Sequence, residues 1–172
     1  LSSLEPLIAK PFLPDNVVPV REVAGTPVDQ VMFGSCTNSS LRDILTIAHI
    51  LKGKRIHPRI DAGLSPGSRQ ILLQAGAYGA LEDLISSGVR MLEVSCGACD
   101  GMGFAPPTDG VSVRTINRNF YGRCGHTSGK VYLASPEVAA TACITGMITD
   151  PRDLELEPFN FEMPSTFIVD EG

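Results

Sequence analysis

The sequence predicts an α/β fold: a mainly parallel sheet in a three-layer α/β/α arrangement. Two observations point there. From residue 28 onward, short apolar runs alternate with segments of helical periodicity, the mark of β-α units laid side by side. The 172 residues, 43% hydrophobic and 19% charged, suit one globular core that needs no disulfide staples.

The elements follow in order. Prolines concentrate in residues 6 to 27 and again from 151 onward, which divides the chain into an extended entry segment (1–27), an α/β domain (28–152) and an exit linker (153–172). Val28-Asp29-Gln30-Val31-Met32-Phe33 reads as a strand ending at Gly34. Ser39-Ser40 can cap a helix on which Leu41, Ile44, Leu45, Ala48 and Leu51 share a face, with Gly53 as its stop. Arg59 to Leu64 is a short strand leading into the turn Ser65-Pro66-Gly67-Ser68. One helix is then expected from Arg69 to Ser87, closed by Gly88. Met91 to Val94 reads as a third strand running into Cys96-Gly97-Ala98-Cys99, Val111 to Ile116 and Lys130 to Ala134 as two more. Pro136 opens a small-residue helix through Ala142.

Several function classes drop out on composition. A net charge of −5 and a pI near 5.1 argue against a nucleic-acid surface. No apolar run approaches the roughly 20 residues needed to span a bilayer, so a membrane protein is not expected. The opening Leu1-Ser2-Ser3-Leu4 shows no initiator Met, basic region or apolar run, and no secretory signal is visible. Five cysteines, an odd number, do not form a paired extracellular framework and suit a reducing, cytoplasmic compartment.

The chemistry gathers in the loops that follow strands, because ligands of open parallel sheets collect beyond the carboxyl ends of the strands. Gly34-Ser35-Cys36-Thr37-Asn38 and Ser95-Cys96-Gly97-Ala98-Cys99 are two such loops and should share one edge of the sheet. Cysteines far apart in sequence can converge there, and thiolates are the soft ligands that iron–sulfur clusters take. Three cysteines leave one iron of a cubane open to substrate, where it can act as a Lewis acid on an alcohol C–O bond. The pair Cys96 and Cys99 alone would equally suit a thiol–disulfide redox module. A structural zinc lacks a second Cys-x-x-Cys or a spaced His pair. Cys36 tips the balance toward a cluster, since its loop offers Gly for close approach and Ser, Thr and Asn for hydrogen bonds to inorganic sulfur.

Three segments together resemble signatures of the aconitase family: Gly34-Ser35-Cys36-Thr37-Asn38-Ser39, Cys96-Gly97-Ala98-Cys99-Asp100-Gly101, and Asn117-Arg118-Asn119-Phe120-Tyr121-Gly122-Arg123. Pro14-Asp15-Asn16-Val17, Leu133-Ala134-Ser135-Pro136 and Gly146-Met147-Ile148-Thr149-Asp150-Pro151-Arg152 extend the likeness over nearly the whole chain. That family includes aconitase, homoaconitase and isopropylmalate dehydratase, hydro-lyases that move a hydroxyl between adjacent carbons of a polycarboxylate. The resemblance implies that Cys36, Cys96 and Cys99 hold a [4Fe–4S] cluster, that Asn117 and Asn38 hydrogen-bond near it, and that Arg118 and Arg123 bind substrate carboxylates. A guanidinium fork suits a carboxylate on physical grounds as well.

The remaining candidates take quieter roles. Cys124 is not expected as a fourth ligand, since it would block the open iron, and Cys143 reads as a core thiol. His49 and His57 read as structural or surface residues, His126 lies near the arginine loop and is not expected as the catalytic base, and Ser68 and Arg69 read as shaping their turn. The family's Asp-Ser-His motif and its serine base have no counterpart in these residues, so no catalytic acid or base is assigned. The chain reads as a fragment that acts with the remaining domains of the enzyme and is inactive alone. The tail Glu162 to Gly172 resembles a linker toward a further domain, as in single-chain aconitase acting on citrate, more than the end of an isopropylmalate dehydratase large subunit.

Overall fold

The computed structural model describes residues 4–162 and 164–169. Leu1-Ser2-Ser3, read above for a leader, lies outside them, as do Met163 and Asp170 to Gly172 of the tail.

A seven-stranded sheet, in the order β2-β1-β7-β6-β3-β4-β5, forms the centre. Strands β3 (Gln30–Gly34), β4 (Asp61–Ser65), β5 (Arg90–Met91), β6 (Val111–Arg114) and β7 (Lys130–Ala134) run parallel. Strands β1 (Leu7–Ala9) and β2 (Val17–Pro19) add an antiparallel edge beyond β7. The proline-rich entry segment is extended, and its extension lets it complete the sheet.

Alternation along each strand sorts side chains to two faces. Val31, Phe33, Ala62, Leu64 and Val113 enter the main core. On that face α1 (Leu41–Leu51) packs against α2 (Arg69–Ala77), α3 (Ala80–Ser87) and α4 (Pro136–Thr145). Met32, Val131 and Leu133 face the other way and meet Ala98, Cys99, Phe104, Ile116 and Cys124. The four α-helices thus share one layer, and the layer on the second face is built from loops and the 3-10 turn Ala98–Asp100.

The connections explain this division. From β3 to β5 the chain steps toward one edge over the helical face, and it then returns across the sheet to β6 and β7. Crossovers between parallel strands are right-handed, so reversing the direction of travel moves the connections to the opposite face. Residues 92–110 and 115–129 therefore cover that face. The point of reversal lies between β3 and β6, where a crevice opens beyond the strand ends.

Helix starts follow the sequence signals. Ser40, not Ser39, caps α1, and it forms a capping box with Asp43. Ser68 caps α2 by accepting from the Ile71 amide, and Ser135 caps α4 ahead of Pro136. Two expectations are corrected. The helix expected from Arg69 to Ser87 is two helices, because Gly79 at φ +76° breaks the backbone path between them. The strand expected over Met91 to Val94 pairs only through Arg90 and Met91, since Leu92 already turns over the sheet toward Gly63. The described part of the exit segment lies against the helical layer through Leu156, Phe159 and Phe161. Among the described residues no helix is long and apolar enough to cross a membrane.

Candidate functional site

The loop after β3 has an unusual backbone. Gly34, Ser35 and Asn38 take φ of +78°, +142° and +55°, conformations that side chains rarely adopt and that cluster at functional sites. A Cβ at Gly34 would fall 2.4 Å from the Ser65 carbonyl oxygen and 2.5 Å from Ser39 Oγ. Only glycine fits, and the turn it permits lifts Cys36 to the surface.

Ser65, at the end of β4, ties this loop to the next. Its carbonyl accepts from Ser39 Oγ at 3.1 Å, and its own hydroxyl lies 2.8 Å from the Glu93 carbonyl and 3.0 Å from that of Ser95. Thr115, just past β6, braces the same loop by accepting from the Gly34 amide at 2.7 Å. These ties bring Cys96 Sγ to 3.2 Å from Cys36 Sγ across 60 residues of sequence. The bond has an electrostatic consequence: the Cys96 thiol donating to Cys36 holds Cys36 below the ordinary thiol range, and the same bond raises Cys96.

Cys99 is buried on the 3-10 turn that follows Cys96 in the same loop. Arg123 Nη2 lies 3.4 Å from its sulfur, while the rest of that guanidinium pairs with Asp100 and sits over the Phe120 ring. Arg123 therefore grips the Cys99 turn. Arg118, by contrast, is exposed and has no ion pair among the described residues. Asn117 and Asn38 are exposed at the same edge. Asn119 is buried and donates to the carbonyls of Lys10 and Val131, anchoring the Asn-Arg-Asn loop to β7 and the entry segment.

The other expected residues hold structural positions. Cys124 is buried against Met32 and Phe104, and burial pushes its thiol up. Cys143 lies in the main core, where burial raises its thiol further still. His49 bonds to the Glu157 carbonyl, His57 accepts from the Arg59 amide, and His126 pairs with Ser128.

Three residues of this edge escape sequence reasoning: Ser65, Thr115 and Arg114. The first two are ordinary strand-end hydroxyls whose partners are distant in sequence. Arg114 did leave a signal. It alternates with Val111 and Val113 on the face of Ser112, so a cation occupies an inward strand position.

The donor set fits a thiolate-bound cluster better than a single ion. All five cysteines are free, and the two at the rim are exposed. Among the described residues no three His, Cys, Asp or Glu side chains stand close enough to hold one metal ion. The cysteines of the two strand-end loops supply the soft thiolate donors that an iron–sulfur cluster takes. Beside Cys36, the Ser35 hydroxyl is buried without a hydrogen-bond partner.

A parallel α/β sheet with thiols converging at its switch point defines a class: proteins that bind a soft metal group or carry out thiol chemistry at that edge. Comparison with known proteins narrows this. The family model "Aconitase family (aconitate hydratase)" matches residues 19–146, and the chain belongs to that family. It is 45% identical over 153 residues to a 3-isopropylmalate dehydratase large subunit 1 from Methanopyrus kandleri, covering 88% of this chain and 37% of the relative. A 3-isopropylmalate dehydratase large subunit from Pyrobaculum arsenaticum is 47% identical over 154 residues (88% and 36%), and one from Geobacter sulfurreducens 45% over 153 residues (88% and 36%). The chain thus spans little more than a third of the length of these relatives. The relatives are named as dehydratases, and the resemblance read from the three loop signatures is borne out.

Proposed function

We propose that this chain is the cluster-binding domain of a [4Fe–4S] hydro-lyase that dehydrates a hydroxy-polycarboxylate, with Cys36, Cys96 and Cys99 as the cluster's protein ligands. The observation that carries the reading is the approach of Cys36 and Cys96 to 3.2 Å at the carboxyl edge of the sheet, with Cys99 on the adjoining turn. When bound, the cluster supplies an iron able to act as a Lewis acid on the departing hydroxyl.

The chain's own residues orient and bind. Arg118, free of ion pairs among the described residues, offers its guanidinium fork to one substrate carboxylate. Arg123 keeps the Cys99 turn in place and exchanges Asp100 for a second carboxylate when substrate enters. Asn117 and Asn38 line the same rim, where their side-chain amides would donate hydrogen bonds to a bound cluster. Proton transfer falls to parts of the enzyme beyond this chain, since the matched residues cover only 37% of the relative's length.

For substrate, we infer 3-isopropylmalate in place of citrate, with a small subunit as partner. The names of the relatives support this. The tail, on which a preference for single-chain aconitase rests, packs in its described part on the helical layer through Leu156, Phe159 and Phe161. The thiol–disulfide alternative that used Cys96 and Cys99 is disfavoured, because Cys96 faces Cys36 and Cys99 is buried beneath Arg123.

Anaerobic reconstitution with ferrous iron and sulfide tests the ligand set. A brown protein whose colour is lost in both Cys36→Ser and Cys96→Ser is expected, and a cluster surviving Cys36→Ser refutes the assignment. Turnover of the full-length protein on 3-isopropylmalate against citrate tests the substrate.

A further inference from the structure

Among the described residues, Arg114 is the only Lys or Arg that is buried, at 0% exposure. It stands on β6 under the loop-covered face, and its five N–H donors meet five acceptors. Nε reaches Ser112 Oγ at 3.0 Å. Nη1 reaches the Ala98 carbonyl at 2.9 Å and Met32 Sδ at 3.4 Å. Nη2 reaches Gln30 Oε1 at 2.8 Å and the Phe104 carbonyl at 2.7 Å. No acceptor in that shell is anionic. Burying a guanidinium among neutral groups is strongly unfavourable unless negative charge is close by.

The position of the fork matters. Its two carbonyl partners, Ala98 and Phe104, bracket the stretch that carries Cys99 and Asp100, and Ala98 lies between Cys96 and Cys99. A tether alone needs no charge, as Asn119 shows by holding the Lys10 and Val131 carbonyls with an amide. A fixed cation beneath the thiol-bearing loop has a use if that loop carries an anionic group, and a cluster held by three thiolates is anionic. Gln30 refines the arrangement. Its Oε1 accepts from both Arg114 and Ser112, and its Nε2 donates to the Ala105 carbonyl, so it orients the guanidinium without neutralising it.

We propose, resting on the cluster reading above, that Arg114 is a positioning residue of this site: its fork holds the loop that bears Cys96 and Cys99, and its charge offsets the cluster. The two roles separate by substitution. Arg114→Lys keeps the charge and loses the fork. Gln30→Glu keeps an acceptor for the fork and cancels the charge, while losing the amide's bond to the Ala105 carbonyl. Arg114→Met loses both.

The test uses the chain reconstituted anaerobically with ferrous iron and sulfide, and reads the cluster's midpoint potential, its iron release to a chelator, and the melting temperature of the iron-free protein. Positive charge favours the reduced cluster, so Arg114→Met and Gln30→Glu should both lower the potential, by about 59 mV for a tenfold change in a one-electron couple. Arg114→Lys should leave the potential near wild type. Iron release should be about tenfold faster in Arg114→Met and Arg114→Lys, as expected when support around metal ligands is removed, and unchanged in Gln30→Glu. If Arg114→Met fails to fold, Gln30→Glu still carries the charge test and Arg114→Lys the fork test. Wild-type potential in Gln30→Glu together with wild-type iron release in Arg114→Lys overturns the proposal and leaves Arg114 a core tether. A wild-type chain that takes up no iron overturns the cluster reading first, and this proposal with it.

Discussion

Gly34→Ala is the sharpest perturbation of the site's architecture, and its cost can be worked from the structure. Gly34 sits at φ +78°, where a side chain costs about 1–2 kcal/mol. The added methyl would stand 2.4 Å from the Ser65 carbonyl oxygen and 2.7 Å from Ser39 Cβ, both on well-packed elements. Relieving that overlap costs about 1–3 kcal/mol by the usual measure of overpacking. Moving Ser39 away breaks its 3.1 Å bond to Ser65, worth about 1 kcal/mol. The stiffer unfolded chain returns about 0.4–1 kcal/mol, leaving a net loss of about 2–6 kcal/mol. Gly25 is the internal control, because it shares the backbone conformation at φ +82° and a Cβ there meets nothing within 4 Å. Gly25→Ala should cost about 1 kcal/mol, the backbone part alone. Urea unfolding of the iron-free protein measures both, as a fall in midpoint at unchanged slope. Gly34→Ala should also lose iron uptake, because Ser65 joins the Cys36 loop to the Cys96 loop. Equal losses in the two variants would refute the steric argument.

Other expectations are simpler to state. Ser65→Ala removes a buried hydroxyl from the Glu93 and Ser95 carbonyls and should cost about 1–2 kcal/mol while slowing cluster assembly; unchanged assembly kinetics would deny Ser65 its linking role. Ser40→Ala, at the capping box of α1, should cost about 1 kcal/mol and leave iron uptake intact. Alkylation of the folded iron-free protein, followed by peptide mass spectrometry, should label Cys36 and Cys96 before Cys124 and Cys143, following exposure. Arg152 holds the Asp150 carboxyl below its usual range. A depressed folded-state pKa contributes stability above the unfolded value, near 3.9, that is lost as pH falls through the folded one. Asp150→Ala should therefore cost about 1 kcal/mol at neutral pH, and its stability difference from wild type should shrink below about pH 4.

Local chemistry wrote much of this protein into its sequence. The parallel strands, the helix caps at Ser40, Ser68 and Ser135, and the two cysteine loops after strands all follow from signals a few residues long. Periodicity and capping act within one turn or one pleat, so such features need no knowledge of the rest of the chain. The three loop signatures carried the family in the same way. Where local signals balance, the sequence does not decide: a helical pattern runs through Gly79, whose left-handed backbone shows only once α2 and α3 each pack on α1. The entry segment looked merely extended until β7 supplied it with an edge to pair with. The site depended most on tertiary structure. That Cys96 meets Cys36, that Ser65 joins their loops, and that Arg114 lies beneath them are contacts across 16 to 84 residues. They exist because the chain reverses its direction across the sheet between β5 and β6, which folds two loops onto one edge and buries a strand cation under them. Such contacts are properties of the sheet order, and no window of sequence contains the sheet order.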